Sequence, residues 1–453
     1  MTAIVTNQFR VANARNFKTD VENQVDNGLY VFIGKSDPWG ETLGTTANPA
    51  DDTTPIPEDK GVEVSKAHVN MIAAKRMKTG DVVHVVPRHN WTYGNTYFGW
   101  NDRDEDIFTK QFYVLNNFKV YKCIKAGPGA STESPEYEGL APFLEADGYV
   151  WKYMYPIGSS DVAKFLTNFY MPVNVTPSYE DAGLAGKIYR IVVTDGGTGY
   201  SSSPTVTIRG DGTGATVSSV VVESGTITAI NVSLTAGSDN GTTLFSPTGS
   251  GYNYAWVEIS DTTGVGATAY PVLSPKNGHG TDPISELGGF YSAINVSLEY
   301  DDGGDFIVNN SFRQIGVLRN PFQEGSTTNI IQQDTFNALY TLNLKSVSTT
   351  DFIPGDYVEG TTSGAIAFVD EYDNTVTPKT LKYHQNEKTG FTNFIAGEEI
   401  TGYSAGSGFV ADSNSVVAPD HAVYSGEIIF IENRDPINRS ASQIEDLKIV
   451  IEF

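Results

Sequence analysis

Short runs in which apolar and polar residues alternate with a period of two recur along this chain. In the final segment, Leu447, Ile449, Ile451 and Phe453 alternate with Lys448, Val450 and Glu452. One face of such a segment is apolar and the other is mostly charged, which predicts a half-buried strand. The wholly apolar run 428–431 predicts a strand buried on both faces. Residues 432–436 predict a turn, because the proline at its end disfavours a helical conformation for the residue before it.

The N-terminal part mixes helical and strand patterns. A polar segment that ends at Asn27-Gly28 predicts a helix, and the apolar run 29–34 predicts a buried strand. Residues 62–77 predict a second helix with basic residues at its C-terminal end. Two further patterns are a strand over 81–87 that ends at a proline and a hairpin over 112–124 around Asn116-Asn117.

Two segments contain internal repeats. Gly199-Tyr200 recurs as Gly251-Tyr252, and Gly214-Ala215-Thr216 recurs as Gly266-Ala267-Thr268, both 52 positions later. Phe352-Ile353 recurs as Phe394-Ile395, and Gly360 recurs as Gly402, both 42 positions later. Coincident offsets of this kind indicate that each segment arose by duplication of a small β-unit.

Composition turns these patterns into a fold class. The chain has 45 Gly, 24 Tyr and 23 Phe, which favours strands and turns over helices. We expect a β-rich α+β protein, with antiparallel sheets or a barrel in its core and two small inserted all-β modules. The expected parts are an N-terminal core part (1–186), a Gly/Thr/Ser-rich module (187–278), a continued core (279–345), a second module (346–418) and C-terminal core strands (419–453).

Charge and cysteine content exclude several classes of function. The net charge of −24 disfavours a nucleic-acid groove, which needs clustered Lys and Arg. The single cysteine, Cys123, excludes an internal disulfide framework and a zinc site built from several cysteines. No apolar run approaches the length of a membrane span, and the N-terminal residues do not resemble a secretion signal. We therefore expect protein partners, assembly in a reducing cytoplasm and no membrane insertion.

Candidate catalytic and metal-binding motifs are weak. Gly402-Tyr403-Ser404-Ala405-Gly406 fits the nucleophile-elbow pattern, but Gly406-Ser407-Gly408 cannot begin a good helix, so a turn is favoured. Asp102, Asp104 and Asp106 imitate half of a calcium loop without its glycine and final glutamate. His84 and His89 lack ligand spacing. No cofactor, metal ligand or catalytic residue is predicted. Four tryptophans, Trp39, Trp91, Trp100 and Trp151, are expected in the core rather than at interfaces.

Several short motifs together resemble a known family. They are Ala-Ile-Val-Thr with Phe9-Arg10, then Ile-Gly-x-Ser-x-Pro-Trp, Val-Pro-Arg-x-x-Trp and Asp-Gly-Tyr-Val-Trp, then Phe-Arg-Gln-Ile with Asn-Pro, and the C-terminal run from Tyr424 to Phe453. In this order they resemble the baseplate wedge proteins called gene product eight in T-even-like contractile-tailed bacteriophages. The two β-modules do not match the family pattern.

The resemblance implies a role and a set of residues. It implies a structural, non-enzymatic subunit that assembles in the host cytoplasm into the virion tail baseplate. There it would form a homodimer, bind other wedge proteins and take part in baseplate rearrangement on infection. The signature residues, expected in the core or at interfaces, are Phe9, Arg10, Pro38, Trp39, Pro87, Arg88, Trp91, Asp147, Gly148, Tyr149, Trp151, Phe312, Arg313, Gln314, Pro321, Ser425, Gly426, Glu432, Asn433, Arg434, Pro436 and Phe453.

The Gly/Thr/Ser-rich modules and abundant tyrosine leave an alternative open. The protein could be a carbohydrate-binding or glycan-degrading tail protein, or the inserts alone could bind a host surface glycan while the core stays structural. A glycosidase needs two carboxylates across a cleft, and the sequence singles out no such pair.

Overall fold

A computed structural model of the chain describes residues 4–23, 28–40, 53–175, 185–201, 204–300 and 302–453. These ranges contain four α-helices and 27 strands, and the antiparallel pairing of the strands confirms the predicted β-rich α+β class. The helices are α1 (Asn7–Glu22), α2 (Gly61–Val69), α3 (Ser159–Phe165) and α4 (Pro283–Leu287). None of the helices in the described ranges combines the length and apolar character needed to cross a membrane.

The strands are numbered in chain order. The first eight are β1 (Leu29–Gly34), β2 (Met71–Arg76), β3 (Val82–Pro87), β4 (Tyr113–Asn116), β5 (Lys119–Lys125), β6 (Phe143–Leu144), β7 (Val150–Pro156) and β8 (Tyr170–Pro172). The next eight are β9 (Ile188–Asp195), β10 (Thr205–Gly210), β11 (Val217–Glu223), β12 (Thr226–Val232), β13 (Thr235–Asp239), β14 (Thr242–Ser246), β15 (Ala255–Ser260) and β16 (Thr268–Leu273). The last eleven are β17 (Tyr291–Leu298), β18 (Ser311–Arg319), β19 (Thr335–Asn337), β20 (Tyr340–Thr350), β21 (Tyr357–Gly360), β22 (Ile366–Asp373), β23 (Lys379–His384), β24 (Glu399–Gly402), β25 (Ser407–Val417), β26 (Glu427–Asn438) and β27 (Glu445–Glu452).

The chain folds into two compact units that each draw on distant segments. Unit 1 consists of Met1–Asn16, Val83–Ala293 and Val450–Phe453, and unit 2 consists of Phe17–Val82 and Ile294–Ile449. Unit 1 contains the whole Gly/Thr/Ser-rich module, and unit 2 contains the second repeat segment.

Unit 2 is built on an antiparallel sheet of five strands in the order β19-β2-β1-β18-β26. As predicted, β1 is a buried strand, and all six of its residues are buried.

The predicted helix over 62–77 is correct only in its first half. α2 ends at Val69, and Met71–Arg76 form β2, which pairs with β1. Burial of Met71, Ala73 and Ala74 against the sheet outweighs the helix preference of this stretch.

Residues 428–431 form a strand, as predicted, but the prediction that this strand is buried on both faces is wrong. β26 is the edge strand of the sheet and has no fully buried residue, with Ile429 among its exposed side chains. The segment Glu432–Pro436 is part of this strand rather than a turn. Its pairing with β18 shifts register between Phe312 and Gln314, so it contains a bulge that accommodates Pro436, as edge strands and bulges do. The half-buried strand predicted near the C-terminus is confirmed as β27, with Leu447 and Ile449 buried.

Unit 1 contains a sheet of six strands in the order β13-β14-β6-β7-β5-β4. The predicted hairpin is present as β4 and β5. Its two turn residues are Asn117 and Phe118, one position later than the predicted Asn116-Asn117 pair, because Asn116 pairs with Lys119; their φ values are 49° and 59°. Positive φ at both positions is typical of the tight turn that matches strand twist. In the same unit β3 pairs with β8.

In the span from β9 to β16, strands β9–β12, β15 and β16 pack around one apolar cluster, whereas β13 and β14 belong to the six-stranded sheet, so the segment is not a fully separate module. Its contacts recur at the 52-residue offset of the sequence repeat. Thr198 bridges to Val265, and Thr213 bridges to Ser250. The Tyr200 ring lies directly against Gly264, and the Tyr252 ring lies directly against Gly212. Each copy of the motif therefore packs a tyrosine on a glycine that belongs to the other copy.

The second module is a closed barrel with strand order β20-β23-β22-β21-β24-β25. Phe352 and Phe394, which are related by the 42-residue offset, are both buried in its core. Asp356 accepts a hydrogen bond of 2.7 Å from the backbone N–H of Ser404, and Glu398 accepts one of 2.8 Å from that of Ser363. Each half of the barrel thus ties a turn of the other half.

A glycine in β18 tests how closely the central sheet of unit 2 is packed. A Cβ atom at Gly316 would overlap the Phe32 ring and lie 2.6 Å from the backbone oxygen of Phe430. We expect Gly316→Ala to lower the free energy of unfolding by about 1–3 kcal/mol, because neither neighbour has free space. Gly61→Ala is the matched control in the same unit, since nothing lies within 4 Å of its Cβ. Urea unfolding measures both, and equal midpoints for the two variants would contradict this packing.

Candidate functional site

Unit 2 holds a buried cluster of charged groups around the carboxylate of Asp37. Lys35 Nζ lies 2.5 Å from Asp37 Oδ2, and Lys388 Nζ lies 2.8 Å from the same oxygen. His384 Nε2 lies 3.5 Å from Asp37 Oδ1, and its Nδ1 lies 2.7 Å from Asp370 Oδ2. Lys35 and Asp37 follow β1, whereas Asp370 and His384 belong to the barrel. The cluster therefore connects the central sheet to the barrel by charge.

The pKa values in the cluster follow from burial and partners. Burial alone would raise the pKa of Asp37, but Lys35, His384 and Lys388 together hold it well below its usual range. Burial would lower the pKa of His384, but Asp370 and Asp37 raise it to about 9. His384 is therefore an imidazolium at neutral pH, with Nδ1 hydrogen-bonded to Asp370 and Nε2 facing the Asp37 carboxylate.

Polar neighbours complete the same cluster. Ser36 Oγ donates to Asp370, and the Arg313 guanidinium donates to the backbone oxygen of Ser36. Asn386 Nδ2 donates to Asn70 Oδ1 at 3.1 Å. Because most of these groups bond to one another in a site with almost no solvent access, the arrangement serves to hold structure together rather than to bind a substrate.

Unit 1 has a second buried ion cluster. Lys122 is fully buried in β5, with Nζ 2.8 Å from Glu286 Oε2, 3.1 Å from His279 Nδ1 and 3.8 Å from the centre of the Trp100 ring. Glu286 Oε1 accepts from the backbone N–H of Gly280 at 2.7 Å. Burial would raise the pKa of Glu286, but Lys122 and His279 lower it to about 2. Burial and the Lys122 charge lower the pKa of His279 to about 4, so the ring is neutral. The cluster ties the segment that contains α4 to the six-stranded sheet.

Several signature residues bond to one another across long stretches of chain. Arg10 Nε donates to the backbone oxygen of Phe453 at 2.5 Å, and its guanidinium lies 3.6 Å from the centre of the Phe290 ring. Arg10 also pairs with Glu452. Phe9 beside it is exposed. Within unit 1, Arg10 thus joins α1 to the C-terminal strand.

Signature residues of unit 2 also bond to one another across long stretches of chain. Trp39 Nε1 donates to the backbone oxygen of Arg434 at 3.1 Å, and Gln314 Nε2 donates to Asn433 Oδ1 at 2.8 Å. Arg434 pairs with Glu432 at 2.8 Å. The backbone oxygen of Pro38 accepts from Lys388 at 2.9 Å. These contacts attach the bulged edge strand and the barrel to the end of β1.

A third group lies where the chain returns from the barrel. Ser425 Oγ accepts from the backbone N–H of Phe322 at 2.9 Å. Gly426 has φ of 79°, and a Cβ there would lie 2.7 Å from the Arg319 oxygen and 3.0 Å from the Pro321 nitrogen. Only glycine fits this approach.

The motif Asp147–Trp151 organises a loop of unit 1. Asp147 Oδ2 accepts from Ser131 Oγ and the Thr132 N–H, both at 2.9 Å. Burial would raise its pKa, but these and other hydrogen bonds lower it. Tyr149 and Trp151 are buried and stack with ring centres 5.8 Å apart, and Gly148 has φ of 88°. Trp91 Nε1 donates to Ser131 Oγ at 3.1 Å, which joins two of the signature motifs.

The remaining signature residues have structural contacts. The backbone oxygen of Pro87 accepts from Tyr113 Oη at 2.9 Å, and Arg88 donates to the Thr167 oxygen at 2.8 Å. Phe312 is buried in β18, and Pro436 lies in β26. The expectation that the four tryptophans are core residues fits Trp100 and Trp151, which are buried, whereas Trp39 and Trp91 are partly exposed.

The weak catalytic motifs gain no support. Ser404 lies in the connection between β24 and β25, with no helix after it, and its Oγ lies 3.2 Å from Asp356 Oδ1. Asp104 pairs with Lys110, and Asp102 accepts from the backbone of Leu273. Across the described ranges, no three His, Cys, Asp or Glu side chains are grouped so that they could hold a metal ion.

A pocket of unit 1 is lined by acidic side chains, and the carboxyl group of one of them has a raised pKa. It has a volume of about 730 Å³, and Glu133, Glu136 and Glu145 line it. Burial, Asp147 and the neighbouring glutamates raise the pKa of Glu145 to about 7. A split pair can divide acid and base roles. Asp147 is occupied by the hydrogen bonds of its own loop, so the carboxylates that could partner Glu145 in this pocket are Glu133 and Glu136.

Sequence reasoning missed both ion clusters. Lys122 stands in an alternating strand like any surface lysine, and its partners Glu286 and His279 are more than 150 positions away. The motif Ile-Gly-x-Ser-x-Pro-Trp did contain Lys35 and Asp37, but the barrel residues that bind them lie in the segment that departs from the family pattern.

Comparisons with known proteins find similarity to baseplate wedge proteins over part of the chain. A family model described as "Bacteriophage T4, Gp8" matches residues 3–127. That range includes the motifs around Arg10, Trp39 and Trp91 and confirms the resemblance to phage baseplate wedge proteins. The particular relative is baseplate wedge protein gp8 of Enterobacteria phage T4, which is 25% identical over 207 residues. The alignment covers 38% of this chain and 60% of that protein.

His384 predicts how the stability of unit 2 depends on pH. A pKa of about 9 in the folded protein exceeds the unfolded value of about 6.5. The stabilisation is therefore complete below about pH 6.5 and is lost as pH rises through about 9, with an upper magnitude on the order of 3 kcal/mol. We expect the gap in unfolding free energy between wild type and His384→Gln to narrow over this range in urea unfolding. A gap that is constant from pH 6 to pH 9.5 would contradict the assignment.

Lys122 predicts a double-mutant result. Lys122→Met leaves the Glu286 carboxylate buried without its cation, so we expect a loss of about 3–5 kcal/mol of stability. Adding Glu286→Gln removes the uncompensated charge and should restore a large part of that loss. Thermal and urea unfolding of the single and double variants measure the coupling. If the double variant is less stable than Lys122→Met, Lys122 does not act by neutralising Glu286.

Proposed function

We propose that this protein is a structural, non-enzymatic subunit of a phage tail baseplate wedge, located in the virion and bound to other wedge proteins. The observation that carries the proposal is the family match over residues 3–127, together with the similarity to a baseplate wedge protein. The alignment covers 60% of that relative, so the binding of this chain to other wedge proteins is part of the proposal.

The contacts of the signature residues support a mechanical role. Arg10, Trp39, Gln314 and Ser425 each bond to a residue more than 100 positions away. Such contacts stabilise a rigid subunit but leave no opening for a reactant. A component that transmits force between neighbours requires this rigidity within its units.

We further propose that the protein acts as a homodimer and takes part in baseplate rearrangement during infection. Transitions of this kind proceed by rigid-body movement at interfaces. A candidate interface is the N-terminal apolar group Ile4, Val5 and Phe9, whose side chains are 85%, 67% and 58% exposed. Apolar groups exposed together commonly mark protein-binding surfaces. Their proposed partner is a neighbouring wedge protein.

The test combines co-purification with complementation. Wild-type protein, co-expressed with the other wedge proteins of its phage, should co-purify with them. Supplied from a plasmid, it should also restore plaques to a phage whose own gene for this protein is disrupted. Replacing Ile4, Val5 and Phe9 by serine should reduce both readouts at least tenfold, because these side chains take no part in the buried core. Tyr93→Ser, at a residue 70% exposed, is the control.

The outcomes separate two levels of the proposal. If wild type neither co-purifies nor appears in purified tails, the baseplate function is wrong. If wild type assembles and the triple variant assembles equally well, only the N-terminal interface is wrong.

The alternative of a glycan-degrading tail protein receives little support from the described residues. The acidic pocket holds Glu133, Glu136 and Glu145, and in the part of the chain that the structure describes no contact among these carboxylates assigns an acid and a base role to a pair of them. Glycan binding without cleavage does not need such a pair.

A further inference from the structure

The Gly/Thr/Ser-rich module presents two aromatic side chains side by side on its surface. Tyr254 is 63% exposed and Trp256 is 41% exposed, and their ring centres lie 5.8 Å apart. Trp256 lies in β15, where it is paired with Arg209 of β10. Because side chains alternate along a strand, Trp256, Glu258 and Ser260 share the outer face of this pair of strands with Arg209 and two threonines.

The two rings are held in place although they are exposed. Arg209 Nε donates to Glu258 at 2.9 Å. Asp211 accepts from the backbone N–H groups of Asn253 and Tyr254 at 2.9 and 3.0 Å. These bonds fix the strand end that carries both rings. A surface that is already ordered loses less entropy when it binds a ligand.

The fold does not require these rings. At the 52-residue offset of the repeat, Tyr254 and Trp256 correspond to Ser202 and Pro204. The tyrosines that pack the module are Tyr200 and Tyr252, which are buried against the glycines of the opposite copy. Only one copy therefore carries the exposed pair, and the other copy lacks it.

We propose that Tyr254 and Trp256 form a binding platform for an uncharged oligosaccharide. Aromatic rings offer an apolar face to the C–H groups of a sugar ring, while adjacent polar groups bind its hydroxyls. Arg209 and Glu258 supply a donor and an acceptor next to Trp256. These two charges neutralise each other, and further charged groups bonded to this strand end are Asp211 and Arg103, which donates to the backbone oxygen of Ala255 at 2.8 Å.

Charge and composition select the occupant. Asp211 and the net charge of −24 repel an anionic glycan or a nucleic acid. A stable protein interface has an apolar core, but the outer face around the two rings consists of Thr205, Thr207, Ser260 and the Arg209–Glu258 pair. Hydroxyl-rich surroundings with two rings suit a neutral sugar chain. This inference does not depend on the baseplate function, since it concerns the surface of the purified chain.

The test is titration of the full-length protein with defined oligosaccharides. Neutral hexasaccharides of glucose, galactose, mannose and N-acetylglucosamine are the probes, and a hexamer of galacturonic acid is the anionic counterpart. Trp fluorescence and ligand-observed NMR should show binding of at least one neutral probe, with Kd on the order of 0.1–1 mM for a shallow surface. Trp256→Ala and Tyr254→Ser should each weaken it at least about tenfold, since each removes one stacking face.

The controls keep the result interpretable. Tyr254→Ser introduces the residue that the other repeat copy has, and unchanged thermal unfolding will show that the variants fold. Tyr93→Ala removes an exposed ring from another part of the chain and should leave binding unchanged. The proposal is overturned if no neutral probe binds, if the galacturonate hexamer binds best, or if the folded variants bind like wild type. It is equally overturned if they lose wedge co-purification while wild type binds no sugar, because the platform is then a protein interface.

Discussion

A charged group that cannot reach water must find its partner inside the chain, and this constraint organises both units. Asp37 in unit 2 and Lys122 in unit 1 are fully buried, and each is neutralised by side chains from distant segments. An unpaired charge at either place would cost several kcal/mol, so only one arrangement of those segments is acceptable. Apolar packing alone tolerates many near-equivalent arrangements. The ion clusters therefore select which surface of the barrel meets the central sheet of unit 2 and where the α4 segment lies in unit 1.

The sequence predicted elements well where local pattern and tertiary environment agree. β1 is a short apolar run with no competing signal, and the β4–β5 turn contains Asn117, a residue type that tolerates positive φ. The sequence-based predictions fail where tertiary contacts determine the local structure. Residues 71–76 contain Ala, Met, Lys and Arg, which favour helix, yet they fill the position beside β1. The run 428–431 looks fully buried, but nothing in it reveals that β26 would lie at a sheet edge. A bulge opposite Phe312 and Gln314 cannot be distinguished from a turn without knowledge of the partner strand.

The candidate site shows the same limit. The signature residues were identified by resemblance, but the resemblance says nothing about what they touch. Arg10 and Phe453 are at opposite ends of the sequence, and Trp39 and Arg434 are almost as far apart. Their pairing explains why short motifs scattered over the chain can be retained together, since each needs the other as a hydrogen-bond partner. Most residues of the ion clusters lie outside the signature motifs, so resemblance did not identify them. Their pattern did not either, because lysine and histidine in alternating strands usually lie on the surface.

The two repeat modules suggest how a rigid subunit can gain a binding surface without losing stability. In both modules the contacts that hold the fold are exchanged between the two copies: tyrosine on glycine in one, and carboxylate on turn in the other. Residues outside those reciprocal contacts are free to differ. Tyr254 and Trp256 occupy such positions, where the matching residues are Ser202 and Pro204. Asp37, in contrast, bonds directly to barrel residues, so the second module is tied electrostatically to its core. A new surface function is therefore easier to add to the Gly/Thr/Ser-rich module than to the barrel.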